Sequence, residues 1–394
     1  MSFPNHKNWA HALPAALLLL APFNILASLA MDIYLPVVPA MPGILATTPA
    51  VVQLTLSLYM ILLGVGQIVF GPLSDRIGRR PVLLGGALLF ASSSFLLAAG
   101  SSAPIFLALR MIQAIGASAM LVALFATVRD VYADRPESAA IYSLLNAMLA
   151  FVPALGPILG ALIAEWFGWR GLFIALGAPA MIALTWAWLR WTETAPARVT
   201  KGEGALRRIL GSGVFWTYTL AFSAAMGSFF VFFSTAPRFL ITRTGLSEFA
   251  FSLAFASAAL VMIIATRFVA ALVRKWGIAG CVRRGMALLL LGAGLLVFGQ
   301  IFLAPSFWSF MPAMWIIAIG IVVTASVTAD GALAEFADIA GTAVAFYFCI
   351  QSLIVGLVGT AAVVLLQGDT AWPLASYAAG MAVATWGALA LLRR

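Results

Sequence analysis

The chain has 394 residues, of which 63% are hydrophobic and 9% are charged, against about 25% charged residues in typical soluble domains. So few charges exclude a water-soluble globular protein, because most of the surface cannot face water. The net charge of +9 does not require a nucleic-acid partner, since membrane proteins concentrate Lys and Arg in their cytoplasmic loops.

Apolar runs of about twenty residues recur along the whole chain, and each can cross about 30 Å of hydrocarbon as a helix at about 1.5 Å per residue. The first run lacks a signal-peptide cleavage site, so we expect it to be retained. The pattern predicts an all-α integral membrane protein with twelve transmembrane helices. Their ranges are 13–38, 50–72, 80–99, 103–128, 139–164, 168–190, 213–236, 248–272, 284–303, 307–328, 340–366 and 371–392.

Basic residues are distributed unevenly between alternate loops. If the N-terminus is cytoplasmic, the loops on the opposite side hold only Arg170, Arg238 and Arg243, while most other Lys and Arg residues are cytoplasmic. The positive-inside rule therefore places both termini in the cytoplasm. A polar segment at 191–212 follows the sixth span and predicts a linker between two six-helix bundles, 1–190 and 213–394. Two such bundles are typical of alternating-access transporters.

A charged motif, "GPLSDRIGRRPVLL", separates the second and third spans. Its glycines and charged residues are Gly71, Asp75, Arg76, Gly78, Arg79 and Arg80. Gly78 permits a tight reversal before a helix that we expect to begin at Pro81. The acid and the arginines can pair with each other and with a neighbouring helix end, which would hold one conformation. The alternative is an ordinary basic anchor with a turn glycine.

Two further motifs follow in spans four and five. Span four contains "LALRMIQAIGASAM", with Arg110 followed by Gln113 and Gly116. Span five contains "FVPALGPILGAL", in which the motif residues are Gly156, Pro157 and Gly160. A proline bends a membrane helix and small residues admit a close neighbour, so the alternative for span five is ordinary helix packing.

In this order the three motifs resemble those of the major facilitator superfamily, and the span-five motif resembles that of its antiporters. "MDIYLPVVPAMP" and "ATVRDVY", which includes Arg129 and Asp130, are similar to the Bcr/CflA group of drug:proton antiporters. "MGSFFVFFSTAPRFL", "KWGIAGC", "ADGALAEFADIAGTAVAFYFC" and "GDTAWP" resemble the phenicol branch, which exports chloramphenicol and florfenicol. The resemblance covers essentially the whole chain. It implies a monomeric exporter in the lipid of the bacterial inner membrane, driven by protons.

Asp32 and Arg110 are the main ionisable residues within the spans, and a charge inside the membrane is costly enough to suggest a function. Asp32 lies near the outer end of span one, where a change between buried and hydrated environments would let it bind and release a proton. Arg110 could exchange partners with Asp32. The alternatives are a static pair at the interface for Asp32 and a structural bond to backbone carbonyls for Arg110. We expect Asp330, Glu335 and Asp338 to lie in a solvated loop after span ten.

Related exporters carry an acid eight positions before the aspartate of the MDxYLP segment, where this chain has Asn24. An asparagine can bind a neutral drug by hydrogen bonds, but it cannot bind a proton. Phenicols are small neutral amphipathic molecules with a nitro- or sulfonyl-phenyl ring, which suit an apolar cavity with few polar groups. Other predicted substrate-binding residues, each with packing as the alternative, are Tyr34, Gln53, Tyr59, Asn146, Phe233, Ser234, Phe346, Tyr347 and Gln351.

Other functions are compatible with the sequence. An exporter of other drugs and an uptake facilitator for a small nutrient would share the fold, although the Gly-Pro motif favours export. An enzyme would need a catalytic constellation, and the only histidines, His6 and His11, precede the first span. The sequence predicts no metal site, no nucleotide-binding motif and no cofactor. In the run 229–233 we expect some phenylalanine rings to face lipid, since consecutive helix positions cannot share a face.

Overall fold

The computed structural model describes residues 13–100, 102–132, 138–195, 205–336 and 339–392. These residues form helices, which we number in chain order. The helices are α1 (Leu13–Asp32), α2 (Met41–Ile44), α3 (Pro49–Ile77), α4 (Arg79–Ala99), α5 (Ala103–Tyr132), α6 (Ser138–Arg190), α7 (Ala205–Gly211), α8 (Gly213–Pro237), α9 (Glu248–Phe302), α10 (Phe307–Leu333), α11 (Ala340–Ile354), α12 (Thr360–Leu365) and α13 (Trp372–Leu391). Short segments of other helical types occupy Leu35–Val37, Arg238–Arg243 and Val355–Gly359.

Ten helical segments within the described residues are long and apolar enough to cross a membrane. Two of them far exceed the roughly 20 residues that a crossing needs. Each of these two is interrupted by a glycine with non-helical backbone angles, Gly168 in α6 (φ 70°, ψ 174°) and Gly277 in α9 (φ 65°, ψ 175°). Glycine adopts such positive φ values without the steric cost that a Cβ atom imposes. Each long segment is therefore two helices joined at one residue.

Several predicted boundaries were wrong because turns in this chain need fewer residues than expected. The predicted loop between 272 and 284 is helical on both sides of Gly277. Likewise, α3 continues to Ile77 and α4 begins at Arg79, so that Gly78 alone (φ 104°, ψ 158°) separates them. Asp75 is in the last turn of α3 and not in a loop, and α4 begins before Pro81.

Two further expectations need correction. Among the rings of 229–233, Phe230, Phe232 and Phe233 are buried and Phe229 is half-buried, because α8 is surrounded by other helices. Asp330 lies in α10 and not in the loop after it, although it is exposed. Glu335 is not merely solvated, since its carboxylate accepts a hydrogen bond of 3.0 Å from Ser212, next to the start of α8. Asp338 lies outside the described residues.

Serine caps mark the beginnings of three helices that follow connecting segments. The side chains of Ser212, Ser247 and Ser306 each accept a hydrogen bond from the backbone N–H three residues later, at the starts of α8, α9 and α10. A cap of this kind satisfies one of the free N–H groups of the first helical turn. These serines therefore define where the chain re-enters a helix.

The helices pack in two groups. Helices α1 and α3–α6 contact one another, chiefly as the pairs α4–α5, α3–α5, α4–α6 and α1–α6. Helices α8–α13 form a second group, chiefly through α9–α10, α8–α10, α8–α13 and α9–α13. The main contacts between the groups are α3 with α11 and α6 with α9. The functional residues described below lie within the first group and along these contacts.

Close approach of α4 and α5 depends on two glycines. A Cβ atom at Gly86 would lie 2.7 Å from the Cβ of Ala119 and 2.9 Å from the carbonyl oxygen of Gly116. A Cβ atom at Gly116 would lie 2.6 Å from the carbonyl oxygen of Gly86. Small residues let helix backbones approach closely in membranes, where dispersion contacts replace the hydrophobic effect between helices. The Gly116 position of the span-four motif is thus a helix crossing.

We expect Gly86→Val to destabilise the protein by about 1–3 kcal/mol, because the larger side chain overpacks the α4–α5 crossing. The measurement is thermal or denaturant unfolding of the purified protein in detergent. The matched control is Gly85→Val on the same helix, since a Cβ atom at Gly85 meets no described atom within 4 Å. Equal stability of the two variants would contradict this account of the crossing.

Candidate functional site

Asp32 is the last residue of α1, and its side chain is buried against α6. A Cβ atom at Gly156 would lie 2.6 Å from the Cβ of Asp32, and a Cβ atom at Gly160 would collide with the carbonyl oxygen of Ile33. The glycines of the span-five motif therefore let α6 press directly on the turn of α1 that carries the acid. The Asp32 Oδ1 atom has no hydrogen-bond partner among the described residues.

Arg110 of α5 is fully buried. Its guanidinium donates hydrogen bonds to the carbonyl oxygen of Ala30 on α1 (3.1 Å) and to Oε1 of Gln113 (2.6 Å). The Gln113 amide in turn donates to the hydroxyl of Ser94 on α4 (2.8 Å). Gln113 thus orients the arginine from one side, and α1 does so from the other. No carboxylate of the described residues forms an ion pair with Arg110 within 4 Å.

Two predicted tyrosines surround this guanidinium. The Arg110 carbon Cζ lies 5.1 Å from the ring centre of Tyr34 and 4.7 Å from that of Tyr59, both within the range of a cation–π interaction. The Tyr59 hydroxyl donates a 2.8 Å hydrogen bond to the carbonyl of Ala27 on α1. The structure therefore brings Arg110 together with Tyr34 and Tyr59, while Asp32 and Arg110 do not pair with each other. We call Asp32, Tyr34, Tyr59 and Arg110 the central polar cluster.

Asn24 lies about two helical turns before Asp32 on α1 and is fully buried. Its amide nitrogen donates a 2.9 Å hydrogen bond to the carbonyl of Leu145 on α6, and its Oδ1 atom has no partner among the described residues. The side chain therefore links α1 to α6. It also leaves one buried acceptor oxygen, an arrangement that usually calls for a ligand, a water molecule or a moving element.

The two helix groups are hydrogen-bonded at the end of the molecule that carries Pro36, Pro39, Pro42 and Pro49, here called the proline-rich end. Gln53 of α3 donates to Ser234 of α8 (2.9 Å). One turn further along α3, Ser57 accepts a hydrogen bond from Thr360 of α12. We call these four residues, Gln53, Ser57, Ser234 and Thr360, the polar latch.

A third hydrogen bond joins α6 to α9 near the same end. Ser252 of α9 donates to the carbonyl oxygen of Pro157 on α6 at 2.9 Å. Halfway along α3, the backbone at Gly64 contacts the side chain of Ser352 on α11, next to the buried Gln351. The Gly-Pro motif and the α3–α11 contact therefore both take part in the junction between the two groups.

The remaining predicted substrate residues are not gathered in one place. Phe233 is buried beside Phe255 of α9, at 6.0 Å between ring centres. Tyr347 stacks on Phe222 and donates a 2.9 Å hydrogen bond to Thr328, inside the second group. Phe346 is half-buried. The side chain of Asn146 lies outside the described residues.

The charged motif lies at the opposite end, which carries Arg76, Arg79 and Arg80 and is here called the arginine-rich end. The buried Arg79 side chain donates to Asp130 of α5 at 2.8 Å and pairs with Asp75. The structure thus brings together Asp75, Arg79 and Asp130. Arg76 is exposed, Arg129 is half-exposed with a 3.5 Å contact to Asp130, and Gly71 has open space around it.

Sequence reasoning missed Glu193, which completes this network. Its carboxylate accepts hydrogen bonds from the backbone N–H groups of Arg79 (2.8 Å) and Arg80 (3.1 Å), at the start of α4. An acid at a helix N-terminus satisfies free N–H groups and the helix dipole. A Cβ atom at Gly78 would also collide with this carboxylate, so both the turn and its partner require glycine. The sequence signal for this contact was the acidic residue Glu193 shortly after span six, because span six ends at the same end of the molecule as Gly78.

Known proteins similar to this chain are membrane transporters and resistance proteins, in agreement with a helical membrane protein that has buried charges. Residues 20–360 match the Major Facilitator Superfamily. A Pseudomonas aeruginosa protein named chloramphenicol resistance protein is 47% identical over 381 residues, which cover 96% of this chain and 91% of that protein. A Shewanella oneidensis protein named multidrug resistance protein MdtL is 30% identical over 239 residues, 60% of each chain.

Solved structures show the same fold. The crystal structure of a D-xylose–proton symporter aligns with a TM-score of 0.77 at 17% identity, over 94% of this chain and 96% of that one. Among the described residues, no group of three or more His, Cys, Asp or Glu residues is placed to hold a metal ion. The chain belongs to the Major Facilitator Superfamily and is a membrane transporter, not an enzyme.

Proposed function

We propose that the chain exports phenicol antibiotics, chloramphenicol and florfenicol, across the bacterial inner membrane in exchange for protons, and thereby confers resistance. The observation that carries the proposal is the 47% identity, over 96% of the chain, with a protein named for chloramphenicol resistance. The drug is a small neutral amphipathic molecule, the driving force is the proton gradient, and the protein works as a monomer in lipid without a cofactor.

The finer architecture is part of the proposal. We infer twelve crossings in two six-helix bundles, 1–190 and 213–394, joined by a cytoplasmic linker at 191–212. The breaks at Gly168 and Gly277 support this number, because each divides one overlong segment into two crossings. The positive-inside rule supports cytoplasmic termini, since the arginine-rich end then faces the cytoplasm. The proline-rich end faces the periplasm.

The contacts between the two groups support an alternating-access cycle. The polar latch and the Ser252–Pro157 hydrogen bond join the groups near the periplasmic end. At the cytoplasmic end, the ion pair of Arg79 with Asp130 and the hydrogen bonds from the α4 backbone to Glu193 remain inside the first group or its linker. This arrangement supports an inward-facing state, in which drug enters from the cytoplasm and opening of the latch releases it outward.

Asp32 is the proposed proton carrier and Arg110 is its proposed regulator. Asp32 is buried against α6 where the Gly-Pro motif contacts α1, so a rocking movement of α6 would change its access to water. Arg110 is held by Ala30, two residues before Asp32 on α1. Movement at this turn would therefore bring the arginine and the acid together or separate them, and a carboxylate beside an arginine releases its proton more readily.

The energy of one proton is sufficient for resistance. One charge moving through 100 mV yields about 2.3 kcal/mol, and one pH unit adds about 1.4 kcal/mol. At about 1.4 kcal/mol for each factor of ten, this supports a drug concentration ratio of several hundred. Of the predicted substrate residues, Asn24, Tyr34 and Tyr59 lie on or against α1, and they would supply hydrogen bonds and aromatic contacts to the drug without carrying its coupled proton.

Export of other drugs is the second candidate, and the 30% identity with a multidrug resistance protein over 60% of the chain favours it. Uptake of a nutrient has no such support. Accumulation of a phenicol with and without a protonophore separates export from uptake, because collapse of the proton gradient raises accumulation only where a proton-driven exporter was lowering it, and the same assay with other drugs separates the two kinds of export.

We expect Asp32→Asn to abolish uphill drug transport, because asparagine cannot carry a proton. In a pump-deficient host the resistance to both phenicols should fall at least tenfold, to the level of the empty host. In proteoliposomes without a proton gradient, downhill drug equilibration should persist, which distinguishes lost coupling from misfolding. Asp330→Asn is the control, since this acid is exposed outside the cluster. Full resistance in Asp32→Asn would remove Asp32 from the mechanism.

We expect the double variant Gln53→Cys/Ser234→Cys, in a background without Cys281 and Cys349, to be cross-linked by a short bis-methanethiosulfonate reagent, because the two native side chains are in contact at 2.9 Å while the length of the glutamine leaves too wide a gap for a direct disulfide. The cross-link should hold the periplasmic end closed and stop efflux, and a reducing agent should restore it. Each single cysteine variant serves as the control. Normal efflux by fully cross-linked protein would rule out opening between α3 and α8.

A further inference from the structure

Two adjoining cavities lie between the helix groups at the proline-rich end, outside the central polar cluster. Their volumes are about 280 and 130 Å³, and Pro49, Gln53 and Arg238 line both. One wall comes from the segment between α1 and α3 and the start of α3. The other comes from the Arg238–Arg243 segment after α8, from α12 and from the segment between α12 and α13. We call the pair the Arg238 cavity.

Arg238 is the most polar group that lines both cavities. It is half-buried, and no described residue gives its guanidinium a hydrogen bond or an ion pair within 4 Å. Asp369 also lines the larger cavity, but its carboxylate lies 3.6 Å from Arg243. Arg238 and Asp369 are the charged residues that line the larger cavity, and Arg238 is the charged residue that lines the smaller one. The fork of N–H donors on Arg238 is therefore available to an acceptor group.

Most of the other residues that line the larger cavity are apolar. Val38, Pro39, Pro42 and Val52 line the larger cavity together with Pro49. Proline rings fix their own backbone angle, so this wall is largely preformed. Small-molecule sites commonly combine an apolar wall with one or two placed polar groups in a volume of about 300–1,000 Å³. The larger cavity alone reaches nearly the lower limit, and its neighbour extends it.

The polar latch separates this cavity from the central polar cluster. Gln53 lines both cavities while its amide donates to Ser234, so the latch is part of the cavity floor. None of the four residues of the central polar cluster lines either cavity. A molecule in the Arg238 cavity would therefore contact the closed latch from the opposite side.

We propose that the Arg238 cavity is a second drug site, on the exit route, in which the guanidinium of Arg238 binds the nitro or sulfonyl oxygens of a phenicol ring. The inference rests on the proposed function and its orientation, which places the cavity on the periplasmic side. A nitro or sulfonyl group presents two acceptor oxygens that match two parallel N–H donors. The aromatic ring would lie against the proline wall, and the drug would occupy the cavity after the latch has closed behind it.

Such a site has a measurable consequence for transport. Drug outside the cell would fill the exit site and slow further export, an effect known as trans-inhibition. Cells preloaded with labelled florfenicol are transferred to medium with increasing unlabelled chloramphenicol, or with an analogue in which hydrogen replaces the nitro group. In cells with the natural chain we expect half-inhibition of release by chloramphenicol at a concentration at least fivefold lower than by the analogue.

Arg238→Gln should raise the half-inhibiting concentration of chloramphenicol at least fivefold and leave that of the analogue unchanged. Arg238→Lys, which keeps the charge without the fork, should give an intermediate value. Arg243→Gln is the matched control, because this exposed neighbour does not line either cavity, and we expect it to behave as the natural chain.

Equal shifts for the two compounds, or none, would overturn the proposed contact. If Arg238→Gln does not reach the membrane, equal inhibition by the two compounds in the natural chain would overturn it. Absence of energised export by the natural chain would overturn the proposed function and, with it, the exit site. Normal export with no trans-inhibition at any concentration would overturn the exit site alone.

Discussion

The burial of the Arg110 guanidinium is the constraint on which the centre of this transporter depends. A charge deep in a membrane protein is costly unless donors, acceptors and polarisable groups surround it. Here the carbonyl of Ala30 and the side-chain oxygen of Gln113 accept from Nη1 and the rings of Tyr34 and Tyr59 flank the cation, while Nε and Nη2 have no hydrogen-bond partner among the described residues. These partners come from α1 and the turn after it, from α3 and from α5 itself, with support from α4 through Ser94. One cation therefore links four helices, so a movement of any one of them changes the contacts of Arg110 with the others.

The contacts of Arg110 also explain how Asp32 could respond to helix movement. Asp32 ends the helix whose carbonyl binds Arg110, and it is pressed against glycines of α6. The α6 backbone is also tied to α9 in the other helix group through the Pro157 carbonyl. A rotation of one group relative to the other is thus communicated to the turn that carries the acid. We regard this connection as the route from domain movement to proton exchange in the proposed mechanism.

The two ends of the molecule are held by different chemistry. At the proline-rich end, neutral hydrogen bonds between side chains join the groups, and such bonds are worth only about 1 kcal/mol each, so they can break and reform within a transport cycle. At the arginine-rich end, Arg79 is buried between two carboxylates within one group, and charge-assisted bonds of this kind are roughly twice as strong. The first end is suited to opening, whereas the second stiffens a bundle that moves as a body.

Much of the fold was accessible from the sequence, because a membrane restricts what a chain can do. Every backbone group must be satisfied within a helix, so the length of an apolar run nearly determines a crossing. The same reasoning failed at Gly78 and Gly277, where a single residue connects two helices and the sequence had predicted a longer loop. Turns of that length depend on local backbone angles and on a capping group such as Glu193, far away in the chain. Composition and hydropathy predict neither the backbone angles of a turn nor the residue that caps it.

For the site, the sequence by itself determined the kinds of residue and the family to which they belong. It identified Asp32 and Arg110 as the intramembrane charges and the glycines of span five as a close contact, because charges and Gly-Pro pairs are conspicuous in apolar runs. Only the tertiary structure decided the partners. Arg110 binds Ala30 and two tyrosines rather than Asp32, and Gln53 belongs to a latch and a cavity wall. Partners depend on the angles and distances between helices that are remote in the chain, and those are decided by packing.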